Sequence, residues 1–198
     1  MLATASFRWE RDPRGAWKGR HNMEAGLLLI RVVLGGIMVA HGAQKLFGWF
    51  GGHSLAGTAG WLESMGLTPG RVYAAVNGLA EFGGGVLLVV GLLTPLGAAA
   101  VVGVMLVAIA TVHWKNGFFS TAGGYEFNLL IVAAALGLAF TGAGEISIDH
   151  LLGWDVAGPA WGLAALGIAA VPAGAVLALR KPPLAQAQEG SREGGSTV

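Results

Sequence analysis

Seven polar side chains lie inside or at the ends of apolar stretches, and their types could support proton transfer or ligand binding. They are Arg31, His41, Lys45, Asn77, Glu81, His113 and Glu126. Cationic and amide groups donate hydrogen bonds, and a buried carboxyl group can hold or release a proton. Ionisable groups within a membrane span cost free energy and are normally paired or functional. These residues are therefore the first candidates for a site.

The spacing of these residues places several of them on common helix faces. Positions on one face of a helix recur every three or four residues. His41 lies four residues before Lys45, and Asn77 lies four residues before Glu81. A longer stripe with 4-3-4-3 spacing consists of Arg31, Gly35, Met38, Gly42 and Lys45. Two neighbouring helices could therefore present polar stripes to each other.

Glu81 and Arg31 are the catalytic candidates, and two interpretations of them remain open. At 1.5 Å per residue, Arg31 lies about 9 Å into the first span and Glu81 about 18 Å up the returning one. A long arginine side chain could cross that gap and form a buried ion pair that fixes helix register. Alternatively, Glu81 relays protons or contacts a ligand.

The remaining polar residues are predicted to bind a ligand, because the same depth count places them in one half of the membrane. This group consists of His41, Lys45, Asn77, His113 and Glu126. Two histidines on separate helices could also ligate haem b, although both lie near the predicted interface and no second pair supports them. We predict no metal site. The sequence contains no phosphate-binding, nucleophile-elbow or zinc-protease motif.

The composition indicates the setting in which these residues lie. Of 198 residues, 54% are hydrophobic and 12% are charged, whereas a soluble domain is about a quarter charged. The chain is therefore neither a soluble globular protein nor a disordered one. A net charge of +1 provides no basic field for nucleic acid. The absence of cysteine excludes disulfides and cysteine-ligated metal clusters within this chain.

Five apolar runs approach the roughly 20 helical residues that cross a bilayer. They cover residues 25–46, 73–93, 96–114, 125–142 and 158–180. A bilayer offers no water to unpaired backbone groups, and strand-like alternation is missing, so these runs are predicted to be helices. We predict an all-α integral membrane protein: a four-helix transmembrane bundle with a fifth C-terminal hydrophobic helix. Pro172 and weak flanks leave open whether that fifth segment crosses the membrane.

Four regions follow from this pattern. Residues 1–24 form a basic extension, which the positive-inside rule places in the cytoplasm if the fifth segment does not cross the membrane; if it does cross, the lysines and arginines on the two sides nearly balance. Residues 25–152 form the four-helix membrane domain, and residues 153–180 contain the fifth hydrophobic segment. The polar, low-complexity tail, residues 181–198, is expected to be disordered.

Six motifs follow an arginine early in the first span. They are His41-Gly42-Ala43-Gln44-Lys45-Leu46, Asn77-Gly78-Leu79-Ala80-Glu81-Phe82-Gly83-Gly84-Gly85, Leu92-Leu93-Thr94-Pro95, His113-Trp114-Lys115-Asn116-Gly117-Phe118-Phe119, Gly124-Tyr125-Glu126-Phe127-Asn128 and Gly142-Ala143-Gly144-Glu145-Ile146-Ser147-Ile148-Asp149. In this order they resemble the DoxX/DoxD family of small bacterial membrane proteins. The resemblance covers about residues 26–152.

The resemblance implies a four-helix bundle in the bacterial plasma membrane, with the N-terminus in the cytoplasm. DoxD itself is a subunit of an archaeal thiosulfate:quinone oxidoreductase, and other members are associated with redox or oxidative-stress membrane complexes. The basic extension and the fifth apolar segment depart from the family pattern. The family-like positions are Arg31, His41, Gly42, Lys45, Glu81, His113, Glu126, Ser147 and Asp149.

The first functional hypothesis is a redox-complex subunit that binds quinone between the first four helices. A quinone needs apolar walls and a few hydrogen-bond donors; His41 and Lys45 could donate, and Glu81 could relay protons. Such an oxidoreductase subunit requires a soluble or membrane redox partner, because this chain has no cysteine and no evident cofactor motif. The alternative is a non-enzymatic scaffold or a small-molecule permeation protein, and a haem b-binding bundle is a third hypothesis. The lipid bilayer and a second copy of the chain are further expected partners.

Overall fold

The computed structural model describes residues 18–182, which form seven α-helices joined by turns and short 3₁₀ and π segments, with no strand in that range. Most of the predicted extension 1–24 and tail 181–198 lies outside the described residues. The first helix begins before the predicted boundary. The helices are α1 (Lys18–Phe47), α2 (Ser54–Ser64), α3 (Gly70–Val90), α4 (Thr94–Ala108), α5 (Glu126–Thr141), α6 (Ile148–Leu151) and α7 (Pro159–Ala178).

Four helical stretches are long and apolar enough to cross a membrane: Asn22–Phe47, Gly70–Val90, Thr94–Asn116 and Pro159–Ala178. The third of these continues α4 through a π segment, Ile109–His113. The apolar helix α5 is shorter, with 16 residues, and extends about 24 Å. The predicted all-α membrane fold is confirmed, and the outer surfaces of these helices contact the lipid bilayer.

The two ends of the bundle are named here after the polar residues they hold. The Lys45 end contains the last turn of α1, helix α2 and the first turn of α3. The last residues after α7 also lie there: Arg180 Nε donates to the Met65 carbonyl (2.7 Å) and Lys181 N to the Gly66 carbonyl (2.9 Å). At the opposite Arg31 end, Gly158 N, just before α7, donates to the Phe140 carbonyl (2.7 Å). Helix α7 therefore runs the length of the bundle.

Helix α4 is the central element of the fold. It packs against α3, α5 and α7, and nine of its 15 residues are buried. A helix that is hydrophobic on all sides belongs in the interior of a bundle, and the alanine, glycine and valine of α4 fit that position. The buried residues are Thr94, Pro95, Gly97, Ala98, Ala99, Val101, Val102, Val104 and Met105.

Glycines allow α1 and α3 to approach backbone to backbone. A Cβ atom added at Gly35 would lie 2.6 Å from the Gly85 carbonyl oxygen, and one added at Gly42 would overlap the backbone of Phe82. Small residues at such positions permit close helix packing in membranes. The stripe predicted from Arg31 to Lys45 does face α3.

Replacing Gly42 by alanine is expected to destabilise the protein by about 1–3 kcal/mol, the usual cost of overpacking, because the added methyl group meets main-chain atoms. Gly36→Ala on the same helix is the matched control, since nothing lies within 4 Å of its added Cβ. Alanine there gains up to about 1 kcal/mol of helix propensity. Thermal unfolding in detergent measures both variants. Equal melting temperatures would contradict the close approach.

Exposed tryptophans mark two interfacial levels on the bundle. Trp49, Trp61 and Trp114 are exposed at the Lys45 end, and Trp154 and Trp161 at the Arg31 end. Tryptophan is enriched where the hydrocarbon core meets the headgroups. The two levels therefore bound the membrane-embedded part of the protein, and α2 lies at the Lys45 interface.

Candidate functional site

A polar cluster joins α1 and α3 near the Lys45 end. Lys45 Nζ donates to Glu81 Oε1 at 2.5 Å and to Asn77 Oδ1 at 2.6 Å. Lys45 comes from the last turn of α1, and the two acceptors follow each other by one turn on α3. We call these three residues the Lys45 cluster.

The local sequence explains how the lysine reaches its partners. Between Asn77 and Glu81, α3 carries a glycine, Gly78, and a Cβ atom there would lie 2.7 Å from Leu46 and 3.5 Å from Lys45. The absence of that Cβ lets the last turn of α1 lie directly on α3. Lys45 therefore extends its stem along an apolar seam and places its ammonium group beside the carboxylate.

Glu81 is nearly inaccessible, and only one of its carboxylate oxygens has a protein partner. Its side chain is 3% exposed, against 24% for Lys45. Glu81 Oε2 is buried and accepts no hydrogen bond from the described residues. An unsatisfied buried polar atom costs about 1–3 kcal/mol, and such atoms in native proteins call for an explanation.

A cavity of about 550 Å³ reaches the cluster from the Lys45 end, and we call it the polar cavity because the side chains of Gln44, Lys45, His53 and Thr58 line it. It lies between the end of α1, the following glycine-rich turn and α2. Lys45 is its charged wall residue. The lining consists of Gln44, Lys45, Gly51, Gly52, His53, Gly57, Thr58 and Trp61.

A second, apolar cavity of about 260 Å³ lies on the other side of the cluster. Helix α4 packs against both α3 and α7, and it forms the floor of this cavity between them. Helix α7 contributes Ile168 and Pro172, a proline inside the helix. Val76 and Ile168 line the cavity and are also 60% and 53% exposed, so its rim opens on the outer, membrane-facing surface.

Two polar side chains, Tyr73 and Asn77, project from α3 into this apolar lining. Lys45 can only donate, so the Asn77 atom that faces it is the oxygen and the amide nitrogen is turned elsewhere. That nitrogen and the Tyr73 hydroxyl have no hydrogen-bond partner among the described residues. Asn77 thus belongs to both the Lys45 cluster and the wall of the apolar cavity.

Arg31 lies elsewhere, and its predicted pairing with Glu81 is wrong. Its guanidinium donates to four main-chain carbonyls at the Arg31 end: Leu88 (3.0 Å), Val89 (3.0 Å), Ala143 (2.5 Å) and Ile146 (2.8 Å). Helical side chains tilt toward the N-terminus of their own helix, which carries this guanidinium away from Glu81. Arg31 thus caps the C-terminal carbonyls of α3.

Asp149 supplies the complementary cap for α4. Its carboxylate accepts from Leu93 N (2.7 Å), Thr94 N (3.1 Å) and the Thr94 hydroxyl (2.8 Å). A negative charge is favourable at a helix N-terminus and a positive one at a C-terminus. Asp149 and Glu24 also interact favourably with the charge of Arg31. The arginine and Asp149 therefore fix the α3–α4 hairpin.

The other predicted ligand-binding residues do not join the cluster. His41 is exposed on the outer face of α1. His113 Nδ1 donates to the Gly123 carbonyl (2.7 Å), and Glu126 Oε2 accepts from Ser120 N (2.9 Å) and Oγ (3.0 Å). Glu126 lies outside the four long spans, and the hydrogen bonds from Ser120 lower its pKa. His113 and Glu126 hold the connection between α4 and α5.

No arrangement of metal ligands accompanies the cluster. Within residues 22–182, no three histidine, aspartate or glutamate side chains converge as a metal-ligand set. His41 and His113 line neither of the two cavities.

The sequence prediction missed Tyr73 and the whole of α2. Tyr73, Asn77 and Glu81 repeat every four residues, a spacing that places all three on one side of α3. That signal was available in the sequence. Helix α2 has 11 residues, is too short to span a membrane and contains two glycines, so it gave no comparable signal.

The fold and the cluster define a class: a helical, multi-span membrane protein with a buried ion pair between a polar and an apolar cavity. The sequence model of the DoxX family matches residues 26–114. Two curated relatives align over 65% of this chain. They are CatD of Bacillus subtilis (strain 168), provisionally named an oxidoreductase, with 33% identity over 87% of its length, and the inner membrane protein YqjF of Escherichia coli (strain K12), with 34% identity over 93% of its length.

This chain belongs to the DoxX family. No solved structure matches it.

Proposed function

We propose that the protein binds a quinone in the apolar cavity and serves as a subunit of a membrane redox complex. The observation that carries this proposal is the cavity itself, whose apolar lining is interrupted by Tyr73 and Asn77 beside a buried ion pair. Small-molecule sites in proteins combine apolar walls with a few polar groups that fix orientation.

The two polar side chains suit the ligand because quinone oxygens accept hydrogen bonds. The Asn77 amide nitrogen and the Tyr73 hydroxyl are both donors without a protein acceptor among the described residues. The exposed rim at Val76 and Ile168 provides entry from the bilayer, where quinones with isoprenoid tails reside.

Electrons must come from or go to another protein, because this chain has no cysteine and no evident cofactor motif. The name of CatD as an oxidoreductase supports a redox setting. We place the N-terminus in the cytoplasm, as the resemblance to the DoxX/DoxD family implies, and assign the complex to the bacterial plasma membrane. The redox partner is a soluble or membrane subunit.

Plugging the cavity rim is expected to weaken quinone binding at least tenfold, a change of about 1.4 kcal/mol. Ile168→Trp places an indole at the opening, where the native side chain is already half-exposed. Leu163→Trp is the control, because it lies on the same helix, is 62% exposed and does not line the cavity. Titration calorimetry with a short-chain ubiquinone in detergent gives both affinities. Equal affinities in the two variants would count against this location.

The alternative function, a non-enzymatic scaffold or permeation protein, is favoured by one observation. The Lys45–Glu81 contact ties α1 to α3 and would stabilise the bundle without any ligand. A scaffold of this kind would bind no quinone, whether in the native protein or in the Ile168→Trp and Leu163→Trp variants. Its ion pair would contribute to stability and to nothing else.

A further inference from the structure

We propose that the Lys45 cluster is a proton-exchange site that communicates with water through the polar cavity, so that protons for the ligand are exchanged at the Lys45 end. This inference rests on the quinone site proposed above. It adds the side of the membrane from which protons reach that site. It assigns the polar cavity, which the quinone site does not use, as the path of proton access.

The contacts form a continuous chain between the two cavities. Lys45 lines the polar cavity, and its ammonium group donates both to Glu81 and to Asn77. Asn77 lines the apolar cavity. A proton that enters through the polar cavity therefore reaches a carboxylate that is two hydrogen-bonded contacts, both made by Lys45, from the ligand wall at Asn77.

The two oxygens of Glu81 allow both protonation states. Oε1 faces the ammonium group of Lys45, which balances the charge of an ionised carboxylate. Oε2 is buried without a donor among the described residues, so no neighbouring N–H or O–H opposes a proton on it. Buried carboxylate oxygens with a purely structural role are normally hydrogen-bonded.

Few other titratable groups face the cluster from the neighbouring helices. Helix α4 contains no ionisable residue. On α2, the carboxylate of Glu63 accepts from Gly70 N (2.9 Å). On α1, His41 is exposed and Arg31 is bonded at the opposite end. His53, in the wall of the polar cavity, is therefore the next titratable group along the path. On α3 itself, the other ionisable residues are Tyr73, which lines the apolar cavity, and Arg71, which is exposed.

The seam toward the Arg31 end is closed to water. Below the cluster, Gly35 and Gly85 bring the backbones of α1 and α3 into contact, and the side chains of Met38 and Leu88 are fully buried. Four main-chain carbonyls surround the guanidinium of Arg31 beyond them. The packing of α1 on α3 thus favours access from one side.

Modification of Glu81 by dicyclohexylcarbodiimide tests this proposal. The reagent reacts with a protonated carboxyl group: the acid proton moves to a reagent nitrogen while a carboxyl oxygen bonds the central carbon, and the adduct rearranges to a stable N-acylurea. Full-length protein in proteoliposomes is treated with the pH set separately on each side, and mass spectrometry measures the rate at the peptide containing Glu81.

Single-cysteine variants supply the control for sidedness, because the chain contains no cysteine of its own. In His53→Cys, a membrane-impermeant, negatively charged methanethiosulfonate attaches to the exposed wall of the polar cavity. Thr121→Cys lies at the same end, is exposed and does not line that cavity. Its labelling reports which side of the vesicle the Lys45 end faces.

We expect the labelling rate of Glu81 to rise as the pH falls on the Lys45 side, by up to about tenfold per pH unit, because the reagent needs a carboxyl proton and the proton activity rises tenfold per unit. The pH on the other side should have no effect. Blocking His53→Cys should remove most of the response, and blocking Thr121→Cys should leave it unchanged.

Three outcomes would overturn the inference: a response to pH on the Arg31 side, equal effects of the two blocked variants, or no labelling of Glu81 at any pH. Quinone affinity is measured on the same preparations by calorimetry. Normal affinity with any of these outcomes refutes the path of proton access alone, whereas absent affinity refutes the quinone site.

Discussion

Arg31→Leu is expected to lower the free energy of unfolding by about 3–5 kcal/mol and to reduce accumulation of the protein in the membrane. The guanidinium is 1% exposed and donates four hydrogen bonds to carbonyls of two separate segments. Leucine leaves those carbonyls unsatisfied and leaves Asp149 and Glu24 without their cationic neighbour. Thermal unfolding in detergent measures the loss.

Two further variants make that test specific. Arg71→Leu also removes an arginine, but from an exposed position on α3 that has no hydrogen bond to any residue of 18–182, so melting should change little. Arg31→Lys keeps the charge but has three donors on one nitrogen instead of the planar fork, so we expect intermediate stability. If Arg31→Leu melted like Arg71→Leu, the capping role would be refuted.

Lys45→Met is expected to destabilise the protein more than the double variant Lys45→Met/Glu81→Leu. The single change strands a buried carboxylate, whereas the double change replaces the pair by apolar side chains, which is often neutral. Because Lys45 is 24% exposed, we expect a loss of about 1–3 kcal/mol for the single variant. The double variant should recover at least half of it. Thermal unfolding of the native protein, the two single variants and the double variant gives the coupling free energy between Lys45 and Glu81.

Quinone affinity measured on the same four proteins shows whether the Lys45–Glu81 pair contributes to ligand binding or only to stability. The apolar double variant should be stable but bind quinone more weakly, because Asn77 loses the cation that orients its amide. Glu81→Gln tests the carboxylate with little change in shape. Full affinity in a stable double variant would show that the Lys45 cluster contributes to stability and not to binding.

The apolar helices could be predicted closely from the apolar runs. Residues 73–93 correspond to α3 at Gly70–Val90, and residues 125–142 to α5 at Glu126–Thr141, although α5 is shorter than the four candidate spans. Length and hydropathy determine membrane-spanning segments because a bilayer imposes both. Helix α2 escaped prediction, since a short interfacial helix is subject to neither requirement.

The polar residues were harder to place than the helices. A depth count locates a Cα atom, but a guanidinium lies several ångströms from its Cα. The tilt of the side chain toward the N-terminus of α1 therefore determines which groups Arg31 contacts. The shared faces of Lys45, Asn77 and Glu81 could be predicted from spacing. The pairing of Lys45 with Glu81 required knowledge of how far α1 and α3 are offset along their axes, which glycine contacts determine.

The cavities depend on tertiary packing that no single segment encodes. The apolar cavity requires α7 to lie beside α4, and that position depends partly on the contacts of Arg180 and Lys181 with the turn before α3. The apolar run 158–180 does not indicate which of the other helices it packs against. Tyr73 becomes a candidate ligand-binding residue only when α7 is known to complete the cavity that Tyr73 lines.

The proline inside α7 has a consequence for ligand discrimination. Pro172 has no N–H, so the carbonyl of Ile168, four residues earlier, lacks its usual helical donor. Both residues line the apolar cavity, opposite a wall in which Asn77 carries a donor. A quinol hydroxyl has a proton to give to such a carbonyl, whereas an oxidised quinone has none. In the proposed quinone site, we therefore expect the Ile168 carbonyl to favour the quinol, whereas the Asn77 donor can serve either redox form, because quinone and quinol oxygens both accept hydrogen bonds.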